Sequence, residues 1–447
     1  MHPPARVLAA LFQGGGNIPL LMPVLEQLTT RGHLVRIMAG PSVRRSRLPV
    51  GADLERRIAS SGAIRVPFRE PHLHPLDAAP HAKGLIGTWA PRGFRIVSGE
   101  AETALWAPAW AENVAEELQT SPTDLIVADF VLLGALVAAE AAGIPAVALM
   151  HTVSTRPSAG MPPYGPGWLP ARGPIGLVRD ALGRTVVEHL YRRNALEPLN
   201  RARTSLGRSP LRSSFEQYGR AARLLMLVSG KFDYPAQQRP LNLMHVGTPV
   251  GDAATAGWVS PWPSEDNRPL VLVSLSTIDQ GQGPLMQRIL RAVAELEARV
   301  LVTLGPALDR SDFEAPPNVR LERFIPHSAV LPHTAAVVTQ CGLGTLAKAL
   351  THGVPLLCIP LTGDQPENAA RVVARGAGIR IGKESSSAQI RAAIRRLLTE
   401  PQFGQNAAAM ASMLKSEGVA EQRAAEEIEG VLNAIRREPA PEASAVS

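Results

Sequence analysis

The sequence predicts an α/β protein of two domains, each built on a parallel, doubly wound sheet. Three observations carry this. Apolar runs of strand length alternate with helix-length segments through short turns, the pattern of parallel sheets with helical crossovers. The chain has 447 residues, more than one hydrophobic core usually serves, and 45% of them are hydrophobic. Residues 337–369 (VVTQCGLGTLAKALTHGVPLLCIPLTGDQPENA) join strand, glycine turn, helix, strand and acidic loop in one unit.

In chain order, strands are expected at about 6–12 and 34–39, with a helix from Ile18 to about Arg31 between them. Strands near 124–128 and 145–150 flank a helix at about 131–142. Residues 151–175 are crowded with Pro and Gly and read as a loop that shapes a pocket, followed by helix to about 206. Residues 242–268 turn irregular and read as a link, so the first domain is expected over 1–241 and the second over 269–437. Second-domain strands are expected at about 270–275, 299–304, 319–321, 335–339 and 355–360, and helices over about 387–436. The tail 438–447 (EPAPEASAVS) is expected to be disordered.

The net charge of +7 and pI near 9.9 come mostly from scattered arginine, without aromatic interleaving or a nucleic-acid motif. Most of that charge reads as solvated surface with some attraction for anions, and no nucleic-acid partner is expected. Cys341 and Cys358, the only cysteines, are too few for a disulfide framework or a metal site and read as packing. No His or carboxylate cluster has metal-ligand spacing. The apolar start at Val7–Phe12 is only a strand long, and residues 125–150 are broken by Asp129, Glu140, Gly143 and Pro145. A cytoplasmic enzyme without targeting segment or membrane span is expected. GGGN at 14–17 lacks the G-x-G-x-x-G spacing, and Met38-Ala39-Gly40-Pro41 brings no acidic residue for a ribose, which argues against a nicotinamide dehydrogenase.

In the unit 337–369, Gly342 and Gly344 read as tight-turn residues. A helix starting near Thr345 would turn its unpaired first N–H groups and positive dipole end toward a diphosphate. The following strand delivers Thr362, Gly363, Asp364 and Gln365 at its carboxyl end, where open α/β sheets bind ligands. A carboxylate beside a carboxamide suits two neighbouring hydroxyls of a hexose.

This unit resembles the donor-binding signature of family 1 glycosyltransferases, GT-B enzymes that move a sugar from a nucleotide diphosphate to a small molecule. The segments VLAALFQGGGNIPLLMPVLEQLTTRGHLVRIMAG, DLIVADFVLLGALVAAEAAGIPAVALMHT, PLVLVSLST and RFIPHSAVLPH are similar to that family's further motifs, in its order. The resemblance implies two Rossmann-like domains facing each other across a cleft, with the last helix crossing back. It implies inverting, metal-independent transfer to a small lipophilic natural product and no cofactor, the dTDP- or UDP-linked sugar being a co-substrate; a homodimer would be compatible. By position, Ser276 and Thr277 would meet the diphosphate, Phe324 and Ile325 would cover the base, and His327 replaces a common glutamine. The acceptor would lie in the first domain, where Trp89, Tyr164 and Trp168 are candidate pocket residues; Trp106 and Trp110, at helical spacing, suit core packing equally.

Three departures from the family limit the catalytic assignment. The family's general-base histidine matches Asn17, whose amide cannot accept a proton, while the partner carboxylate matches Asp129. Asp129 acting itself, a nitrogen or acidic phenol acceptor that Asn17 only positions, and replacement by His151 or His33 all remain open, with His33 reading as structural. The family's phosphate-binding histidine matches Gln340, which donates hydrogen bonds but carries no charge. Lys348 stands where many members hold the ribose with glutamate, which favours a thymidine diphosphate deoxysugar, or else Lys348 reaches a phosphate or stays solvated. The rival class is a non-catalytic homologue that binds a sugar nucleotide or an active partner.

Overall fold

The computed structural model describes residues 4–13, 16–42, 50–70, 103–237, 239–251 and 258–437. Its first sheet holds seven parallel strands, β1 Arg6–Gln13, β2 Leu34–Ser42, β3 Ile64–Val66, β4 Leu125–Asp129, β5 Ala146–Met150, β6 Arg223–Met226 and β7 Leu243–His245. They lie in the order β3-β2-β1-β4-β5-β6-β7. The connecting helices are α1 Ile18–Thr30, α2 Val50–Ser61, α3 Ala107–Thr120, α4 Leu133–Ala142, α5 Gly173–Ser205 and α6 Phe215–Tyr218.

The second sheet has six parallel strands in the order β10-β9-β8-β11-β12-β13: β8 Leu270–Ser274, β9 Arg299–Thr303, β10 Val319–Glu322, β11 Thr334–Thr339, β12 Leu356–Cys358 and β13 Gly378–Arg380. Its helices are α7 Gly283–Val293, α8 His327–Val330, α9 Leu343–Thr351, α10 Gln365–Ala374, α11 Ser387–Thr399, α12 Pro401–Ser416 and α13 Ala420–Arg437.

The central strands form because their sequences can be covered on both faces: LIVAD, AVALM and LVLVS are buried at every residue, as parallel strands under helices require. Helix limits follow local chemistry. Proline stands in the first two positions of α1, α3, α5, α7 and α12, where its missing N–H costs nothing. α4 stops on left-handed Gly143, and a Ser386–Gln389 capping box starts α11.

The expected long elements are present, and several short ones are additional. β7 falls inside the stretch expected to be a link and pairs at the edge of the first sheet; β3 and β13 have three residues each, too few to carry a period of two. Trp110 is fully buried against Phe68, with ring centroids 4.5 Å apart. Gly40 makes room for it, since a Cβ there would stand 2.2 Å from the indole.

Several contacts join the domains among the described residues, two of them with buried ion pairs. α13 returns to α1, where Arg31 Nη1 donates to Glu429 at 2.7 Å. His33 accepts the Ala5 N–H at Nδ1 (3.1 Å), so its Nε2 carries the proton facing Glu429 at 3.1 Å, a buried structural role. In the second contact, Arg371 Nε on α10 donates to Asp233 at 2.7 Å and its Nη1 to Glu367 at 3.0 Å. Glu367 in turn accepts the N–H groups of Gly165 and Gly167 at 2.9 and 2.7 Å. Gly167 is obligatory there, because a Cβ would meet the Pro366 carbonyl oxygen at 2.4 Å. Among the described residues no helix is long and apolar enough to cross a membrane. The tail 438–447 lies outside the described residues.

Candidate active site

Strand order reverses between β1 and β4 in the first sheet and between β8 and β11 in the second, and crevices open at the carboxyl ends of strands at such switch points. The two crevices form one cleft with a cavity volume of about 290 Å³, lined by Asn17, Phe130 and His151 on one side and by Ser276, Gln340, Gly342 and Asp364 on the other. Small-ligand sites begin at about this size.

On the first side, a carboxylate is held from three directions. Asp129, at the end of β4, is fully buried. Its Oδ2 accepts Asn17 Nδ2 at 2.7 Å; its Oδ1 lies 3.2 Å from His151 Nε2 and accepts the Val131 N–H at 3.3 Å. Asn17 is the N-cap of α1, yet it makes no cap bond; its amide also donates to the Phe12 carbonyl at 2.5 Å. Both neighbours of Nδ2 are acceptors, so the amide orientation is fixed, and the buried Oδ1 is left without a protein partner. His151 follows β5, with Phe130 edge-on at 5.0 Å.

On the second side, α9 begins without a side-chain cap because its N-cap is Gly342. Intrahelical bonding starts with Leu346 N–H to Gly342 O at 3.1 Å, so the N–H groups of Leu343, Gly344 and Thr345 precede it. In the tight turn expected here the left-handed residue is Cys341 (φ 69), the sole non-glycine residue at positive φ among those described; Gly342 is extended at φ −61. Asn368 Nδ2 donates to the Cys341 carbonyl at 3.0 Å and to Asp364 Oδ2 at 2.8 Å, tying turn and acidic loop together. Burial raises the Asp364 carboxyl above its ordinary range, against the pull of Asn368 and His151. Gln340 Oε1 accepts Thr339 Oγ1 at 3.0 Å, so Nε2 is the end over Gly342. Ser276 is buried and Thr277 exposed at the cleft edge after β8.

Residues 287–431 match the family model for the C-terminal domain of erythromycin biosynthesis protein CIII-like proteins. Over 414 residues, covering 90% of this chain and 94% of the relative, the sequence is 32% identical to 4'-demethylrebeccamycin synthase of Lentzea aerocolonigenes. The chain belongs to the GT-B glycosyltransferases of family 1. A TDP-daunosamine transferase of Streptomyces peucetius is 34% identical over 167 residues, 35% of this chain and 39% of that one. The fold of a calicheamicin glycosyltransferase superposes with a TM-score of 0.71 at 21% identity, covering 98% of this glycosyltransferase and 100% of the other.

The remaining candidate residues of this glycosyltransferase have varied surroundings. Gln365 lines the cleft, but Leu361 and Thr362 donate their N–H groups to its Oε1 at 2.8 and 3.0 Å and its Nε2 donates to Gln280 at 3.0 Å. Its amide therefore ties residues 361–362 to Gln280 while the residue stays on the cleft wall. Lys348 is half-buried and off the cleft wall, and burial with Arg57 nearby lowers its pKa to about 8. Tyr164 is buried, and Trp168 packs under Arg179, 4.7 Å from the ring centroid, so neither lines the cavity. Phe324 is 78% exposed and Ile325 packs on the core beneath it. His327 shares a hydrogen bond with Thr303 Oγ1 at 3.3 Å, and burial lowers its pKa to about 4, so it is neutral at pH 7. Trp89 lies outside the described residues. Sequence reasoning missed Phe12, Phe130 and Gln280 on the cleft wall; Phe12 and Phe130 lie at strand ends already singled out, which was the available signal, whereas Gln280 lies six residues beyond β8.

Proposed function

We propose that this glycosyltransferase moves a hexose or deoxyhexose from a thymidine diphosphate donor to a small lipophilic acceptor, with inversion at the anomeric carbon. The observation that carries this is the meeting, in one cleft, of an uncapped helix N-terminus, the Asp364 loop and the Asn17–Asp129–His151 cluster. The diphosphate lies against the first N–H groups of α9 and Gln340 Nε2, which take up the negative charge that develops on departure. Asp364 accepts hydroxyls of the sugar, and Phe324 covers the base. The acceptor enters from the first domain against Phe12 and Phe130 and attacks C1 from the face opposite the diphosphate.

Leaving charge is met by helix N–H groups and amides, so transfer needs no metal ion, and activity is expected to be unchanged by chelators. Thymidine is favoured because no carboxylate occupies the Lys348 position to accept a ribose 2'-hydroxyl; the named substrates of the daunosamine relative point the same way. Incubation with thymidine and uridine diphosphate sugars and planar aromatic acceptors, followed by product mass and anomeric coupling analysis, tests the reading. A product of inverted configuration, formed faster from the thymidine donor, is expected. Nucleotide binding without turnover on any acceptor would instead mark a non-catalytic homologue.

A further inference from the structure

The sequence motif lacks a base at its usual place. At the loop after β1, Asn17 points an amide at Asp129 and cannot take a proton. Asp129 has no exposed surface, and both its oxygens are engaged: Oδ2 by Asn17, Oδ1 by His151 and the Val131 N–H. It cannot touch an acceptor. His151 comes from the end of the neighbouring strand β5, is about one-fifth exposed (21%), and is the one histidine among the described residues lining the cleft. It lines the same cavity as Asp364.

Resting on the glycosyl-transfer reading above, we propose that His151 is the general base, and that the His–Asp pair is rebuilt here with its histidine on β5 instead of the loop after β1. One carboxylate serves both positions, Oδ2 facing Asn17 and Oδ1 facing His151. The imidazole, its Nε2 3.2 Å from Asp129 Oδ1, takes the acceptor's proton as the new bond to C1 forms. The bond from C1 to the diphosphate oxygen breaks, and its electron pair leaves with the diphosphate. Asp129 stabilises the imidazolium, which then loses its proton to solvent. Asn17 holds the other oxygen of Asp129 through its amide N–H.

Transfer from thymidine diphosphate glucose to a graded series of substituted phenols, from ionised nitrophenols to weakly acidic ones, tests this with wild type, His151→Ala and Asn17→His/His151→Ala. Slow hydrolysis of the same donor, with water as acceptor, is followed in parallel. In His151→Ala, turnover is expected to fall on the order of 10²–10⁴-fold with weakly acidic phenols and with water, and little with ionised ones. Added imidazole, or the second substitution, restores part of the loss. Thymidine diphosphate affinity and melting temperature stay near wild type. Equal losses across the series would show a structural role and overturn the proposal, as would unchanged hydrolysis. Calorimetry reads the underlying reading separately: if wild type does not bind thymidine diphosphate, glycosyl transfer itself fails, whatever His151 does.

Discussion

Lys348 is held where its charge is disfavoured. Its pKa of about 8, lowered first by burial and then by Arg57, lies below the ordinary lysine value, so from about pH 8 to 10.5 the unfolded chain binds more protons than the folded one. Stability relative to Lys348→Met therefore rises with pH across that window. The variant is expected to melt higher than wild type at pH 7, with the advantage shrinking toward pH 10, and to bind thymidine diphosphate unchanged; a weaker affinity would place the lysine on the phosphate. At this scale the sequence was partly readable. Asp129 and Asn17 were identifiable as neighbours through their motifs, and the structure joins them at 2.7 Å. That Gln365 spends its amide on its own loop, or that His151 shares the carboxylate, depends on rotamers and strand register that no local pattern encodes.

The α9 element trades helix stability for an open end. Aspartate at an N-cap accepts the N–H groups of N2 or N3 and is better than glycine by a few tenths of a kcal/mol. Gly342 has an ordinary extended φ, and a Cβ there would meet only the flexible end of Gln340 at 3.1 Å. Gly342→Asp is therefore expected to melt at or slightly above the wild-type temperature. Strand, turn and helix were legible from apolar run and glycine spacing. The location of the left-handed residue was not: Cys341 adopts φ 69 because its carbonyl is held by Asn368 on α10 and its side chain is buried, contacts from outside the segment.

For the whole molecule, a fully buried ion cluster is one of the contacts that join the domains. Arg371 compensates both Asp233 and Glu367. Burial drives each carboxyl up, and Arg371 prevails at Asp233, which ends below its ordinary range, but not at Glu367, which ends above it. Arg371→Met strands both and is expected to cost about 3–5 kcal/mol, read as a lowered unfolding midpoint. Glu367, already raised, takes up its proton first on acidification, so the variant's stability falls as pH rises above the ordinary glutamate value, and the deficit is smaller at pH 5 than at pH 8. Two domains and parallel sheets were evident from length and alternation. The cluster was invisible because its members lie up to 138 residues apart and charged residues carry no periodicity. The three-residue edge strands β3, β7 and β13 escaped because pairing, not pattern, defines them.

The central claim is that the cleft is a nucleotide-sugar site clamped by the open end of α9. Calorimetric titration of thymidine diphosphate into wild type and Gly342→Asp tests it most directly. Saturable binding to wild type, weakened at least about tenfold (about 1.4 kcal/mol) in a variant that melts normally, is the expected result. No binding to wild type, or equal affinity in the variant, would contradict it.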